Sequence, residues 1–158
     1  MTKEQIKKKL NLDNIGYFNE GRAWVQKNGK EGHVDLNGKV TTPIVYDSVG
    51  YFQEGRAWVK KNGKCGHVDL NGNITTPIIY DDVGYFSEGR AWVQQKNGKY
   101  GHIDLNGKVT TPIIYDDVGN FKEGRALARI NNFEFYINTN GWPIEHKDYY
   151  KLIKSIFE

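Results

Sequence analysis

The sequence has little that would cross-link the chain or hold it in a membrane. Its one cysteine, Cys65, excludes an intramolecular disulfide and a zinc site made of cysteines. No run of about 18 apolar residues occurs, so we expect no membrane-spanning helix. The lysines of residues 1–14 are not followed by an apolar segment, as they would be in a secretory signal, and we therefore expect a cytoplasmic protein.

An excess of positive charge is also missing from the body of the chain. The net charge of +3 comes from the two ends, because the segments 16–49, 50–83 and 84–118 each carry four basic and four acidic side chains. A repeat that bound nucleic-acid backbones would show a basic stripe in every copy. We therefore expect no nucleic-acid partner.

Proline is scarce, with four residues, whereas glycine is abundant, with 18, and both recur at a fixed interval. Gly16-Tyr-Phe is repeated at Gly50 and Gly84, and a related Gly119-Asn-Phe follows. This period of about 34 residues indicates a tandem repeat. Two Asn-Gly pairs and one proline in each full copy would break a helix, which excludes a helical repeat.

The residues of one copy predict a three-stranded β-meander. In the first copy, the alternating run 22–25 precedes Asn28-Gly29, and such a pair fits a type I′ hairpin turn. A second strand follows over 32–36, and a third begins at Lys39. We expect Pro43 to end the third strand, because proline cannot donate to a β-ladder. The connector 44–49 leads to the next copy and is the place for a short fourth strand.

Alternation along the strands assigns side chains to two faces. One face is small and aliphatic, with Ala23, Val25, Val34 and Leu36, and the other holds Arg22, Trp24, His33 and Asp35. A meander this small is not stable alone. We therefore expect the adjoining copies to cover the aliphatic face.

These patterns predict an all-β single domain, 1–158. Its three-stranded repeats of about 34 residues would stack in an open curved array, and the alternative is a closed, small propeller-like arrangement. The full copies span 16–49, 50–83 and 84–118, and 119–145 is a degenerate fourth copy in which Leu127 replaces the tryptophan. A capping box at Thr2 predicts a helical cap within 1–15, and apolar spacing predicts a second helix within 146–158.

The repeat resembles that of the WG-repeat proteins of bacteria. In the second copy the shared motif consists of Phe52, Glu54, Gly55, Ala57, Val59, Gly66, Val68, Asp69, Gly72, Pro77, Tyr80 and Asp81. The resemblance covers about residues 16–145. The family's tryptophan before glycine is replaced by Glu31, Cys65 or Tyr100, and tryptophan stands instead at 24, 58 and 92. The resemblance implies a β-repeat array with an interaction role, and it supplies no catalytic residues.

A ladder of tryptophan and arginine is the first candidate site. It consists of Trp24, Trp58 and Trp92, with Arg22, Arg56 and Arg90 two residues earlier on the same strand face. A row of indole rings beside guanidinium groups is suited to a repetitive ligand, such as a glycan or an extended peptide. The alternative is structural: each ring packs on the next copy, and each arginine covers a ring or pairs with the preceding Glu20, Glu54 or Glu88.

Histidine and aspartate form the second candidate site. His33, His67 and His102 each precede an aspartate by two residues, which places both side chains on one face of a strand. A metal between copies and a cross-strand hydrogen bond are the two interpretations, and we predict no metal because no third ligand converges. The pairs Asp81-Asp82 and Asp116-Asp117 also have two interpretations, which are calcium binding and turn formation.

No catalytic arrangement repeats or converges along the chain. We therefore predict a non-enzymatic binding module, without a cofactor, that binds a protein partner through the surface made by successive repeats. The ladder and the three histidines are the candidate contact residues. The alternative is a carbohydrate-binding module that uses the ladder.

Overall fold

The computed structural model describes residues 1–157, in which nearly all regular structure is β-strand and a helix lies at each end. The helices are α1 (Lys3–Leu10) and α2 (His146–Phe157). The first sheet contains β1 (Asn14–Ile15), β2 (Ala23–Lys27), β3 (Lys30–Val34) and β4 (Val40–Tyr46). The second contains β5 (Ser48–Val49), β6 (Ala57–Lys61), β7 (Lys64–Val68) and β8 (Ile74–Tyr80).

The other two sheets follow the same order along the chain. The third contains β9 (Asp82–Val83), β10 (Ala91–Gln94), β11 (Tyr100–Ile103) and β12 (Val109–Tyr115). The fourth contains β13 (Asp117–Val118), β14 (Ala126–Ile130) and β15 (Phe133–Ile137). The chain divides into two compact units, one formed by residues 1–79 and one that starts at Tyr80. The prediction of an all-β chain with a helix at each end is confirmed.

The first three sheets have four strands each, one more than the predicted meander. The added strand is short; in the first sheet it follows α1, and in the second and third sheets it comes from the end of the preceding connector. In the second sheet, Val49 pairs with Val59 of β6 in antiparallel register. A sheet therefore begins with residues that the sequence pattern assigned to the previous copy.

The prediction that Pro43 ends a strand is wrong. Strand β4 continues past Pro43 to Tyr46, with irregular register: His33 pairs with Thr42, whereas Glu31 pairs with Tyr46. The extra residues form a bulge in β4. Because β4 is the edge strand of its sheet, no neighbouring strand needs the N–H that Pro43 lacks. The bulge lies directly against Gly32, where a Cβ atom would overlap the Thr42 carbonyl oxygen.

Local signals at turns and at the first helix behave as expected. Asn28 and Gly29 have φ of 54° and 79°, which is the type I′ geometry. The capping box is present, because the Thr2 side chain accepts from the Gln5 N–H at 3.1 Å and Gln5 accepts from the Thr2 N–H at 2.8 Å. A turn that the sequence did not suggest lies at Glu20-Gly21, with φ of 51° and 75°.

The aliphatic face of each sheet in the first unit is covered. Helix α1 and the residues after it cover the first sheet, since Ile6 of the helix and Leu12 beyond it pack with Ala23, Val25 and Val34. The second sheet packs its aliphatic face on the first sheet, and Trp24 lies against the cluster that contains Phe52 and Val59. Leu36, expected on the aliphatic face, is 55% exposed, because β3 ends at Val34 and the chain turns.

In the second unit, the fourth sheet packs its aliphatic face on the third sheet. The fourth sheet places Ala126, Ala128 and Ile137 in one cluster with Tyr115 and Phe121, and Trp92 of the third sheet packs against it. Helix α2 adds Leu152, which is 2% exposed, to the same cluster. Within residues 1–157, neither helix has the length and apolar character needed to cross a membrane.

Candidate functional site

The three tryptophans of the ladder are half-buried. Trp24 lies between the first and second sheets, where it packs on the second sheet's core. Trp92 packs against the core of the fourth sheet and lies 5.7 Å from the ring of Tyr100. These positions fit the structural interpretation of the ladder.

Each of these indole rings also requires a glycine within its own copy. A Cβ atom added at Gly16, Gly50 or Gly84 would overlap the indole of Trp24, Trp58 or Trp92, respectively. The fourth copy has Leu127 in place of tryptophan, and the nearest atom to a Cβ at Gly119 is the Leu127 carbonyl oxygen at 3.8 Å. The glycine of Gly-Tyr-Phe is therefore paired with the tryptophan eight residues later.

Gly50→Ala and Gly119→Ala form a matched pair that measures this contact. We expect Gly50→Ala to lower the free energy of unfolding by about 1–3 kcal/mol, because a packed indole has to move. We expect Gly119→Ala to change it by less than about 0.5 kcal/mol, since the site is open. Urea unfolding followed by circular dichroism measures both. Equal losses in the two variants would show that the indole contact is not the cause.

The ladder arginines bond to backbone carbonyls. Arg22 Nε donates to the Leu70 carbonyl at 2.9 Å, and Arg22 Nη1 donates to the Gly21 carbonyl at 3.1 Å. Leu70 lies in the turn after β7, so Arg22 joins the first sheet to the second. Arg90 Nη1 makes the same contact to the Gly89 carbonyl at 3.2 Å.

The glutamates of the Glu-Gly turns join successive copies in another way. Glu20 Oε2 and Oε1 accept from the N–H groups of Glu54 and Gly55, at 2.8 and 2.7 Å. Glu88 accepts from Glu123 and Gly124 at 2.6 and 2.9 Å. Both glutamates have φ near 50°, in the left-handed region. The carboxylate of one turn thus holds the backbone of the next turn.

Glu88→Gly and Glu123→Gly separate these hydrogen bonds from the strain of a left-handed glutamate. Glycine relieves about 1 kcal/mol of strain at each position. Only Glu88→Gly also loses two charge-assisted hydrogen bonds, so we expect it to be about 1–2 kcal/mol less stable than the wild type. Glu123→Gly is expected to equal or slightly exceed the wild type. The comparison uses urea unfolding, and equal effects would contradict a role for the Glu88 carboxylate in holding the next turn.

The histidines lie inside the fold. His33 has no exposed surface; its Nε2 lies 2.7 Å from the Gly50 carbonyl and its Nδ1 lies 2.9 Å from the Thr42 hydroxyl. Because a carbonyl only accepts, Nε2 carries the proton and Nδ1 accepts from the hydroxyl. His102 makes the same contacts, to Gly119 at 2.8 Å and Thr111 at 2.9 Å. His67 Nδ1 lies 2.9 Å from the Thr76 hydroxyl.

Burial keeps the imidazoles of His33 and His102 neutral. It lowers the pKa of His33 to about 4, although the hydrogen bond to Gly50 acts in the opposite direction. Burial lowers the pKa of His102 to about 4 in the same way. His33 and His102 therefore each join a sheet to its neighbour. All three histidines predicted as contact residues are buried and present no surface to a partner.

Histidine and aspartate do not converge on a metal site. Asp35 Oδ1 accepts from the N–H groups of Asn37 and Lys39, both at 2.9 Å, within a turn. Asp69 and Asp104 form the same turn in their own copies. In residues 1–157, three or more histidine, cysteine or acidic side chains are nowhere grouped as metal ligands would be.

The adjacent aspartates also serve turns. Asp116 accepts from Lys99 Nζ and, at 2.7 Å, from the N–H of Asn131 in the next hairpin. The hydrogen bond from Lys99 lowers the pKa of the Asp116 carboxyl. Asp117 accepts from the N–H of Val118 at 2.9 Å. The two carboxylates accept from different groups. This is expected of aspartates that form turns, and not of two carboxylates that share a calcium ion.

The long last strands of the sheets expose apolar side chains that the face pattern of the strands did not predict. Ile74 and Ile79 at the two ends of β8 are 57% and 63% exposed. Val40 and Val45 occupy the same positions on β4 and are 38% and 45% exposed. The available signal was the recurrence of valine or isoleucine on both sides of the Thr-Thr-Pro run.

Comparison with known proteins gives two designed structures of similar fold. The computationally designed Ika4 protein has a TM-score of 0.50 and 13% identity, over 78% of this chain and 88% of that chain. The computationally designed Ika8 protein has a TM-score of 0.51 and 12% identity, over 82% and 48%. The WD40 β-propeller domain of Doa1 has a TM-score of 0.44 and 12% identity, over 85% and 53%.

The chain thus spans about half the length of the Ika8 and Doa1 structures. No curated protein matches the sequence. The sequence matches the family described as "WG containing repeat" four times, over residues 2–30, 32–65, 66–100 and 100–132. These matches cover most of the chain, which is therefore a member of the WG-repeat family.

Proposed function

We propose that this protein is a non-catalytic binding module that contacts a protein partner through the long last strands of its sheets. These strands, β4, β8 and β12, each lie at one edge of a sheet. The observation that carries the proposal is their repeated exposure of branched apolar side chains, at Val40, Val45, Ile74, Ile79 and Val109. Exposed apolar side chains that lie together in a patch are typical of interaction surfaces.

The ladder supports this choice over the carbohydrate-binding alternative. A sugar ring needs a free indole face. Gly16 lies against the Trp24 indole within its own copy, and the second sheet's core packs on the same side chain. We therefore expect that soluble glycans leave the emission of Trp24, Trp58 and Trp92 unchanged.

The edge strands favour side-chain contacts over strand addition. Pro43 and Pro77 lie in the middle of β4 and β8, and both are exposed. A proline has no N–H, so it interrupts the row of backbone donors that an added strand would use. The partner class that fits this surface is a folded protein with a complementary apolar face.

The test is affinity purification from the native source with the wild-type chain and with a Val45→Lys, Ile79→Lys variant. The control is Gln53→Lys, Gln95→Lys, which adds the same charge at exposed positions outside these strands. We expect a protein that the wild type and the control retain and the variant loses, with at least about a tenfold loss of affinity when it is purified. Circular dichroism checks that both variants fold.

Two results would contradict the proposal. One is a retained protein that binds the wild type, the variant and the control equally. The other is the absence of any retained protein together with a change of tryptophan emission on adding soluble glycans, which would favour the carbohydrate-binding alternative.

A further inference from the structure

We propose that the protein forms a symmetric dimer in which the fourth sheet of one copy packs on the fourth sheet of a second copy. The contact surface is the terminal face, defined as Arg125, Leu127, Arg129, Glu134 and Tyr136. It is distinct from the edge strands of the proposed function, and the two proposals do not depend on each other.

The terminal face occupies a position that is an interface elsewhere in the chain. In the third sheet, Trp92 pairs with His102, and the fourth sheet covers both. In the fourth sheet, the equivalent pair is Leu127 and Tyr136, in the same antiparallel register. These two side chains are 41% and 43% exposed. The face that forms an interface in the third sheet is therefore present in the fourth sheet as well, where no further copy covers it within residues 1–157.

The terminal face has depressions that side chains of a second sheet can enter. Three cavities adjoin it, of about 340, 210 and 140 Å³, and Leu127 lines all of them. The largest also involves Tyr136 and Ile144, and reaches Lys151 of α2. Leu127 thus stands at the centre of a recessed surface.

The groups that join successive sheets are unused at this end. Arg22 reaches the Leu70 carbonyl of the next sheet, whereas the guanidinium of Arg125 lies on its own sheet, 3.9 Å from the ring centroid of Tyr136. Glu88 holds the following Glu-Gly turn. Glu123, the equivalent glutamate of the fourth copy, is exposed.

Helix α1 argues against a head-to-tail arrangement of copies. In a head-to-tail contact, the terminal face of one copy would pack on the aliphatic face of the first sheet of another. Ile6 and Leu12 already cover that aliphatic face. Ile6 also lies 3.3 Å from the Cβ position of Gly38, while the equivalent Gly72 lies against Thr41 of the preceding copy. The helix therefore takes the place of a preceding sheet, and an incoming copy finds that site occupied.

The terminal face is complementary to itself in charge. It carries the cations Arg125 and Arg129 and the anion Glu134, and Glu123 borders it. Arg129 lies opposite Glu134 on the neighbouring strand and 3.9 Å from Asp116 Oδ2 of its own copy. A two-fold axis near Leu127 brings Arg129 of one copy to Glu134 of the other, and the reverse, around an apolar centre. Two-fold dimers use one patch on both subunits, which requires this kind of self-complementarity.

Sedimentation velocity on the full chain from about 1 to about 300 μM tests the dimer, a range that spans a micromolar dissociation constant. We expect a concentration-dependent dimer in the wild type and a monomer for Leu127→Glu. The control is Leu36→Glu, an exposed leucine in a turn of the other unit, which is expected to remain dimeric. A wild type that is monomeric throughout overturns the proposal, as does a control that dissociates like Leu127→Glu.

A charge exchange tests the two-fold pairing without removing the apolar centre. Arg129→Glu and Glu134→Arg are each expected to weaken self-association at least about tenfold, because like charges face each other. An equimolar mixture of the two variants is expected to form a dimer, since opposite charges then meet. Circular dichroism verifies folding. A mixture that stays monomeric overturns the pairing of Arg129 with Glu134.

Discussion

Replacing Gly72 with alanine is expected to lower the free energy of unfolding by about 2–5 kcal/mol. Gly72 has φ of 81°, and an alanine held in this left-handed conformation costs about 1–2 kcal/mol. The added Cβ also overlaps the carbonyl oxygen of Thr41 in the first sheet. Backbone cannot rotate away as a side chain can, and such overpacking adds about 1–3 kcal/mol.

Gly63→Ala is the matched control for this variant. Gly63 has nearly the same conformation, with φ of 78°, but no atom lies within 4 Å of its Cβ position. Gly63→Ala is therefore expected to lower the free energy of unfolding only by the cost of a left-handed alanine, about 1–2 kcal/mol. The difference between the variants, measured by urea unfolding, is the cost of separating the turn at Gly72 from the first sheet. Equal losses would mean that the two sheets do not depend on this contact.

Lowering the pH from 7 to 5 is expected to destabilise the fold by about 2 kcal/mol for each buried histidine whose pKa is lowered, His33 and His102. In the unfolded chain an imidazole binds a proton near pH 6.5, whereas in the folded chain its pKa is about 4. Between these values the unfolded state binds more protons. The stabilisation is therefore complete above pH 6.5 and is lost as the pH falls towards 4.

His102→Asn tests the source of this pH dependence. The variant is expected to be less stable than the wild type at pH 7, because it loses the contacts to Thr111 and Gly119. Between pH 7 and pH 5, the free energy of unfolding of the variant should fall by about 2 kcal/mol less than that of the wild type. The Asp47 and Asp116 carboxyls have lowered pKa values and act only at more acidic pH. If the free energy of unfolding of the wild type did not change from pH 7 to pH 5, this would contradict the conclusion that His33 and His102 are buried and neutral.

Features set by a few neighbouring residues were predictable from the sequence. Asn28-Gly29 forms the expected turn because asparagine and glycine tolerate the left-handed region. Thr2 and Gln5 form the expected capping box, because both partners lie within one helical turn. The Glu20-Gly21 turn was missed, since a glutamate rarely adopts positive φ unless a distant group stabilises it.

The site was less predictable because it depends on what covers each face. Alternation correctly separated Ala23 and Val25 from Trp24 and His33, but it did not show that a neighbouring sheet covers the second face as well. Burial then changes the chemistry of the same residues. His33 becomes a neutral hydrogen-bonding group, and Trp24 becomes part of a core.

The sequence by itself determined the repeat, its strands, its hairpin turns and the helices at both ends, because each depends on spacing and on conformational preferences of adjacent residues. Only the tertiary structure decided that Pro43 lies inside a strand, that Val49 opens the following sheet, and that Trp24 and His33 lie between the first two sheets. Those outcomes depend on contacts between residues distant along the chain. A pattern within one copy specifies which side chains share a face, but not which neighbour removes that face from water.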